Sequence, residues 1–148
     1  KTSLDAKDFE SLAKGEMPQD VVKYQKDILW ADKLIFIFPV WWWSYPAILK
    51  GFIDRVFLKG FAYDFDQNGL VKLLKHQKAL VFMTTGGPKE GYEKNNAVEI
   101  LKRPLSEGVL SFCGIDNTDF HIFYAVPYCT EEERKNYLNQ VEEAIKKL

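Results

Sequence analysis

The chain has 148 residues, 47% hydrophobic and 28% charged, with a net charge of −1, which fits one soluble globular domain. That charge balance gives no electrostatic case for nucleic acid or an anionic membrane surface. Two cysteines, Cys113 and Cys129, are too few for a disulfide framework and fit a reducing cytoplasm. No uninterrupted apolar run reaches membrane length, so insertion into a bilayer is not expected.

Residues 1–19 are polar, contain Gly15 and Pro18, and read as a loop or a short helical piece. Asp20 to Ala31 reads as a helix, with Val21, Tyr24, Ile28 and Leu29 toward one face. Leu34–Phe38 is a continuous apolar run of strand length, stopped by Pro39. Runs without alternation predict burial on both faces, as in a parallel sheet. Ser44 is placed to cap the next helix and Pro46 to sit in its first turn. Ile48, Leu49, Phe52, Ile53, Val56 and Phe57 give that helix a broad apolar face. A loop with Gly60 and Gly69 follows, then a second apolar strand, Ala79–Met83. It runs into Thr84-Thr85-Gly86-Gly87, a sharp turn signal. A further helix is predicted from about Lys102-Arg103-Pro104 to Gly114, a suitable C′ residue. Phe120–Tyr124 is a third strand. Thr130 and Glu133 form a capping-box pair that opens a last helix, with Leu138, Val141, Ile145 and Leu148 inward. Alternating strands and helices predict an α/β fold with helices on both faces of an open sheet.

The strand ends carry the chemistry. In open α/β sheets, ligands sit outside the carboxyl ends of the strands. Trp41, Trp42 and Trp43 follow Pro39 and Val40 at such an end, where a flat aromatic loop can wall a flat aromatic ligand. The backbone of the Thr84–Gly87 turn can approach a ligand closely, because glycine has no Cβ. Its N–H groups suit a carbonyl oxygen that gains negative charge. Tryptophans after a strand also serve core or interface packing, and Gly86-Gly87 also serves as a plain turn. His76 and His121 have no cysteine or carboxylate partners at metal-ligand spacing, so no metal site is expected. Cys113, beside Phe112, reads as a small buried hydrophobe, and Cys129 as a loop residue before a helix.

Taken together, FPVWWWSYPAILKGFIDRVFLKGFAY, the following strand, and TTGG with Tyr92 five residues on strongly resemble the flavodoxin-like NAD(P)H:quinone oxidoreductases. That family includes DT-diaphorase-type enzymes and the ancillary oxidoreductases of bacterial potassium-efflux systems. The resemblance runs from about Trp30 to the C-terminus. It implies a flavodoxin-like parallel sheet that binds FMN or FAD, with NADH or NADPH as reductant and a quinone-like acceptor. By the resemblance, Pro39, Val40, Trp41, Trp42 and Trp43 lie along the flavin ring. Thr84, Thr85, Gly86 and Gly87 meet its pyrimidine edge, and Tyr92 hydrogen-bonds near its carbonyl. Tyr63 and Phe65 line the substrate pocket, reached from the second subunit of a homodimer. The implied reaction is ping-pong hydride transfer from NAD(P)H through flavin N5 to the quinone.

Two departures stand out. The family's first strand, phosphate loop, helix and second strand find no counterpart in residues 1–20. That unit is roughly 30 residues or more, so the expectation is a chain that belongs to a longer protein. Some family members also place a histidine shortly after the tyrosine, whereas Glu93 to Val98 contains none. The short C-terminus favours FMN over FAD. A rival function is a flavin-binding regulatory or ancillary subunit docked on a transporter, with Trp41–Trp43 as a partner surface.

Overall fold

The computed structural model describes residues 3–148. Its elements are α1 (Ala6–Ala13), α2 (Gln19–Trp30), β1 (Lys33–Pro39), α3 (Ala47–Val56), β2 (Tyr63–Asp66), β3 (Gly69–Lys72), β4 (Lys78–Thr84), α4 (Lys89–Glu93), α5 (Ala97–Leu105), β5 (Thr118–Phe123) and α6 (Glu131–Lys146). β1, β4 and β5 form a parallel sheet in that spatial order, while β2 and β3 make a separate antiparallel hairpin. The hairpin occupies the stretch that the sequence suggested was a loop.

Alternation along the strands sorts their side chains onto two faces. On one face Phe36, Phe38, Val81 and Met83 pack with Ile53 and Val56 of α3 and Leu101 and Leu105 of α5. On the other face Leu80, Phe82 and Phe123 meet Ala144 of α6, with Tyr137 and Val141 beside it. Helices therefore cover both faces of an open parallel sheet, as the alternation predicted. β4 lies between two strands and two helical layers, and Ala79 to Met83 are all buried. Its unbroken apolar run follows from that position.

β1 departs from the expectation of burial on both faces. Phe36 and Phe38 are buried, yet Ile35 is exposed and Ile37 is 73% exposed. The cause is positional. β1 is an edge strand, and the α6 cluster involves β4 and β5 residues only.

Other local departures from the sequence pattern have similar causes. Ser44 caps no helix; its backbone pairs with Trp41, and α3 begins after Pro46. α5 begins at Ala97 rather than near Lys102 and runs through Pro104 into a π-helical turn, Ser106–Ser111. Ala97, Leu101 and Leu105 form its buried stripe, and burial of that stripe outweighs the poor helical fit of proline. Leu29 of α2 is exposed, and so are Leu138 and Ile145 of α6. The face α6 turns inward carries Tyr137, Val141 and Ala144, a stripe set by packing on Phe82 and Phe123. Gly114 ends the helical run as read, at φ +113; a Cβ there would meet the Leu74 carbonyl oxygen at 2.4 Å. The Thr130–Glu133 capping box is formed in both directions.

A charged cluster joins the amino-terminal helices to α3. The buried Arg55 guanidinium donates to Asp8 of α1 at 3.2 Å and to Asp20 of α2 at 2.6 Å. Such a guanidinium needs its carboxylates, because an unpaired buried charge is costly. The hydrogen bonds from Arg55, and its charge, hold the Asp20 carboxyl below its ordinary pKa. A carboxyl whose folded pKa is depressed adds stability above its unfolded pKa of about 4. That contribution disappears as pH falls through the folded value. Thermal unfolding of Asp20→Asn between pH 7 and 3 is therefore expected to show a shallower acid loss of Tm than the parent. An identical acid slope would remove Asp20 from the linkage.

Candidate active site

Parallel register sets the carboxyl edge of the sheet. Pro39 of β1 lies opposite Thr84 of β4, and Thr84 opposite Phe123 of β5. Three loops therefore leave the sheet at one level. The Val40 N–H donates to the Thr84 carbonyl at 2.8 Å, and the Thr85 N–H to Phe123 at 2.9 Å. Further on, Ala125 N–H bonds Gly87 O and Val126 N–H bonds Thr85 O, both at 3.0 Å. The Thr85 hydroxyl is buried and donates to Gly87 O at 2.9 Å. The middle loop is thus held from both sides.

The tryptophan loop has an unusual backbone. Trp41 and Ser44 exchange hydrogen bonds of 2.9 and 3.0 Å, which closes a two-residue turn on Trp42 and Trp43. Both central residues are left-handed, with φ +49 and +60. That arrangement matches a type I′ turn, where Asn-Gly is the favoured pair. Left-handed backbone at non-glycine residues costs of order 1–3 kcal/mol each. No core contact offsets it at Trp42, which is 98% exposed. Trp41 and Trp43 are also exposed. Among the described residues, the N–H groups of Trp42, Trp43, Gly86 and Gly87 donate to no protein acceptor. The site presents a bare aromatic loop beside a turn with unused donors.

Tyr92 of α4 joins the two. Its ring centroid is 5.9 Å from that of Trp43. A Cβ on Gly87 would sit 3.3 Å from Tyr92 Cε2 and 3.7 Å from its hydroxyl, so Tyr92 lies close against the glycine turn. Pro39, Val40, Trp41, Trp42, Trp43, Thr84, Thr85, Gly86, Gly87 and Tyr92 are all brought to this edge. Tyr63 and Phe65 lie on the hairpin, where their ring contacts run to each other and to Phe112. Phe65 is exposed. The third loop escaped the sequence reading. Tyr124 read as the end of a strand, but its ring lies 5.8 Å from Tyr92, and burial raises its phenol pKa. Its one sequence signal is an aromatic at a strand's carboxyl end.

Other candidates lie elsewhere. His76 Nε2 is 2.7 Å from the Ile28 carbonyl, and His121 stacks on Phe82. Burial pushes the Cys113 thiol up to about 11, the behaviour of a core residue. No helix of the described residues is long and apolar enough to cross a membrane.

Residues 1–148 match a family model described as a flavodoxin-like fold, and the chain belongs to that family. It is 33% identical over 132 residues to a Haemophilus influenzae protein called an uncharacterized NAD(P)H oxidoreductase, covering 89% of this chain and 65% of the relative. It is 40% identical over 129 residues to human ribosyldihydronicotinamide dehydrogenase [quinone], covering 85% and 56%. Among solved structures, NAD(P)H:quinone oxidoreductase from Methanothermobacter marburgensis superposes with a TM-score of 0.83 at 28% identity, covering 97% of this chain and 74% of that one. The chain thus spans between 56% and 65% of these curated relatives' length.

If the tryptophan turn is held for a ligand at the expense of the fold, relieving it must stabilise the protein. Trp42→Asn, the residue a type I′ turn prefers, is expected to raise stability by roughly 1 kcal/mol and to weaken ligand binding. Urea unfolding checks this; lower stability would make Trp42 a packing residue.

Proposed function

We propose that this protein is a flavin-dependent two-electron reductase that uses NADH or NADPH and delivers hydride to a quinone-like acceptor. The observation that carries the reading is the pair of exposed, left-handed tryptophans beside a glycine turn with unused N–H donors. The residues present fit a flavin ring. The aromatic loop offers a stacking face, Gly86 has open space where a Cβ would be, and the donors suit a carbonyl-rich edge. Relatives named as NAD(P)H and quinone oxidoreductases support the same chemistry. A bound flavin supplies hydride acceptance and release, with reductant and quinone taking turns in one pocket.

The chain's own part is position and electrostatics. Pro39, Val40 and Trp41–Trp43 hold the ring's flat face, and the Thr84–Gly87 loop lies at its polar edge, where the Gly86 and Gly87 N–H groups are open to it. Donors fixed where negative charge grows need no reorganisation during reaction, and losing one costs roughly 2.7–4 kcal/mol. Tyr92 donates a hydrogen bond beside that edge, acting with solvent or Lys94 because Glu93 to Val98 holds no histidine. Tyr63 and Phe65 serve the acceptor pocket across a homodimer interface, a role that the exposure of Phe65 supports. FMN is the favoured flavin. The unpaired cysteines fit a cytoplasmic setting.

The free edge of β1 bears on the whole protein. α2 and α3 lie on one face, linked by the Tyr24–Phe52 ring contact and by Gln25 Nε2 donating to Val56 O. On that face, chain connections step from β1 to β4 to β5. Right-handed crossovers then put any strand that feeds α2 beyond β1's open edge. A helix on the opposite face, joining two such strands, would cover Ile35 and Ile37. We infer that a preceding strand–helix–strand unit completes this sheet. Intact-mass analysis of the native gene product should exceed 17.2 kDa, and a native product starting at Lys1 would end the idea.

Visible absorption of the purified protein tests the function. A flavin spectrum is expected, bleached by NADH or NADPH and restored by a quinone, with FMN on extraction. Tyr92→Phe should slow the bleaching by ~10-fold or more. An unchanged rate would take Tyr92 out of the mechanism. Colourless protein that takes up neither FMN nor FAD would refute the reductase and favour a docking subunit.

A further inference from the structure

We propose that Tyr124, in the third carboxyl-edge loop, is a positioning residue that fixes the ring of Tyr92 against the glycine turn. The inference rests on the reductase reading for its consequence, but its geometry stands apart from it.

The two tyrosines are anchored differently. Tyr92 belongs to α4, which has five residues and no side-chain cap. So short a helix does not hold its own shape in water. What fixes its ring must be contacts outside the helix. Its ring packs on the edge of the main core and meets Gly87 beneath it, Trp43 at 5.9 Å and Tyr124 at 5.8 Å. Of these, Trp43 stands on the strained and exposed turn, and glycine offers no side chain to steer by.

The backbone of Tyr124 is held on both sides. Its carbonyl accepts the Tyr137 hydroxyl of α6 at 3.0 Å, and the Tyr137 ring packs on Phe123 at 4.9 Å. The residue before it accepts from Thr85 and the residue after it donates to Gly87. Ala125 takes a left-handed backbone, φ +50, so the loop keeps a conformation that alanine disfavours. The surrounding hydrogen bonds impose that turn and fix where Tyr124 begins. Rigidity therefore passes from α6 through Tyr124 to Tyr92, and the ring rather than the hydroxyl carries it. The two rings meet at an interplanar angle of 48°, a tilted contact that an aliphatic side chain does not reproduce.

The test uses the intact protein labelled with 3-fluorotyrosine, its Tyr92 fluorine line assigned by Tyr92→Phe. Tyr124→Phe, which keeps the ring, should leave that line in place. Tyr124→Leu should move or broaden it, and Tyr124→Met serves the same purpose if the leucine variant does not fold. With FMN bound, the leucine variant should lower the rate of flavin reduction roughly tenfold while FMN affinity changes less than twofold. Tyr124→Phe should retain the parent rate. An unmoved line in the leucine or methionine variant overturns the proposal. So does a phenylalanine variant as impaired as leucine, since the hydroxyl would then be the active part. A moved line in a protein without NAD(P)H-driven turnover supports the positioning role and refutes the reductase reading instead.

Discussion

Everything at the carboxyl edge depends on the parallel register of β4 with its two neighbours. β4 is the strand buried on both faces, and its pairing sets Pro39, Thr84 and Phe123 side by side. Because hydrogen bonding on both sides of a central strand and burial of both faces oppose slippage, the three loops that follow have no freedom to slide. A one-residue shift of β1 would carry Phe36 and Phe38 out of the core and lift the tryptophan turn away from the glycine turn. The core and the site are thus specified by the same ladder. The Val40–Thr84, Thr85–Phe123 and Ala125–Gly87 hydrogen bonds extend that ladder past the strands into the loops.

On this firm base the molecule places its least comfortable backbone. Trp42, Trp43 and Ala125 are all left-handed, and all three lie in the outer loops. Nothing in their own side chains favours the conformation. Folding alone would select glycine or asparagine there. Large aromatic surface left in water with its neighbouring N–H groups unused is a poor solution for stability and a good one for recognising a flat, polar-edged ligand. On the flavin reading proposed above, strain concentrated beside a rigid strand would keep the loop ready for the ligand and reduce the ordering that binding must impose.

The sequence made the scaffold legible where burial and periodicity agree. β4, the capping box of α6 and the glycine at the end of the α5 run could all be read directly. The tryptophan and TTGG loops could be located from their place after strands. What stayed hidden depends on neighbours that a sequence does not display. Ile35 and Ile37 look like core residues, and only the strand order shows that one side of β1 is bare. Pro104 looks like a helix start until the stripe Ala97, Leu101 and Leu105 is seen to be buried. Tyr124 gave no motif, because its role comes from a contact with Tyr92 across 32 residues of chain. The left-handed pair Trp42-Trp43 was invisible for a further reason. Propensity argues against that turn, which is closed by the two hydrogen bonds between Trp41 and Ser44.

The two flanks of β4 are not equal, and this matters for how the site works. β5 is backed by α6 and laced through Tyr137, so the loop carrying Tyr124 inherits the rigidity of the core. Among the described residues β1 has one bare face and one unpaired edge, yet it delivers the tryptophan turn. Local opening free energy falls where buried apolar contacts are few, so β1 is the weaker wall of the site. The preceding unit proposed above would pair with its edge, cover Ile35 and Ile37, and so steady Trp41–Trp43. Sheet completion and ligand binding then draw on one source of free energy. Burial behind β1 would restrain the turn from within, and a flavin stacked on the tryptophans, as proposed, would restrain it from without. Each makes the other less costly, since the same few residues need ordering only once.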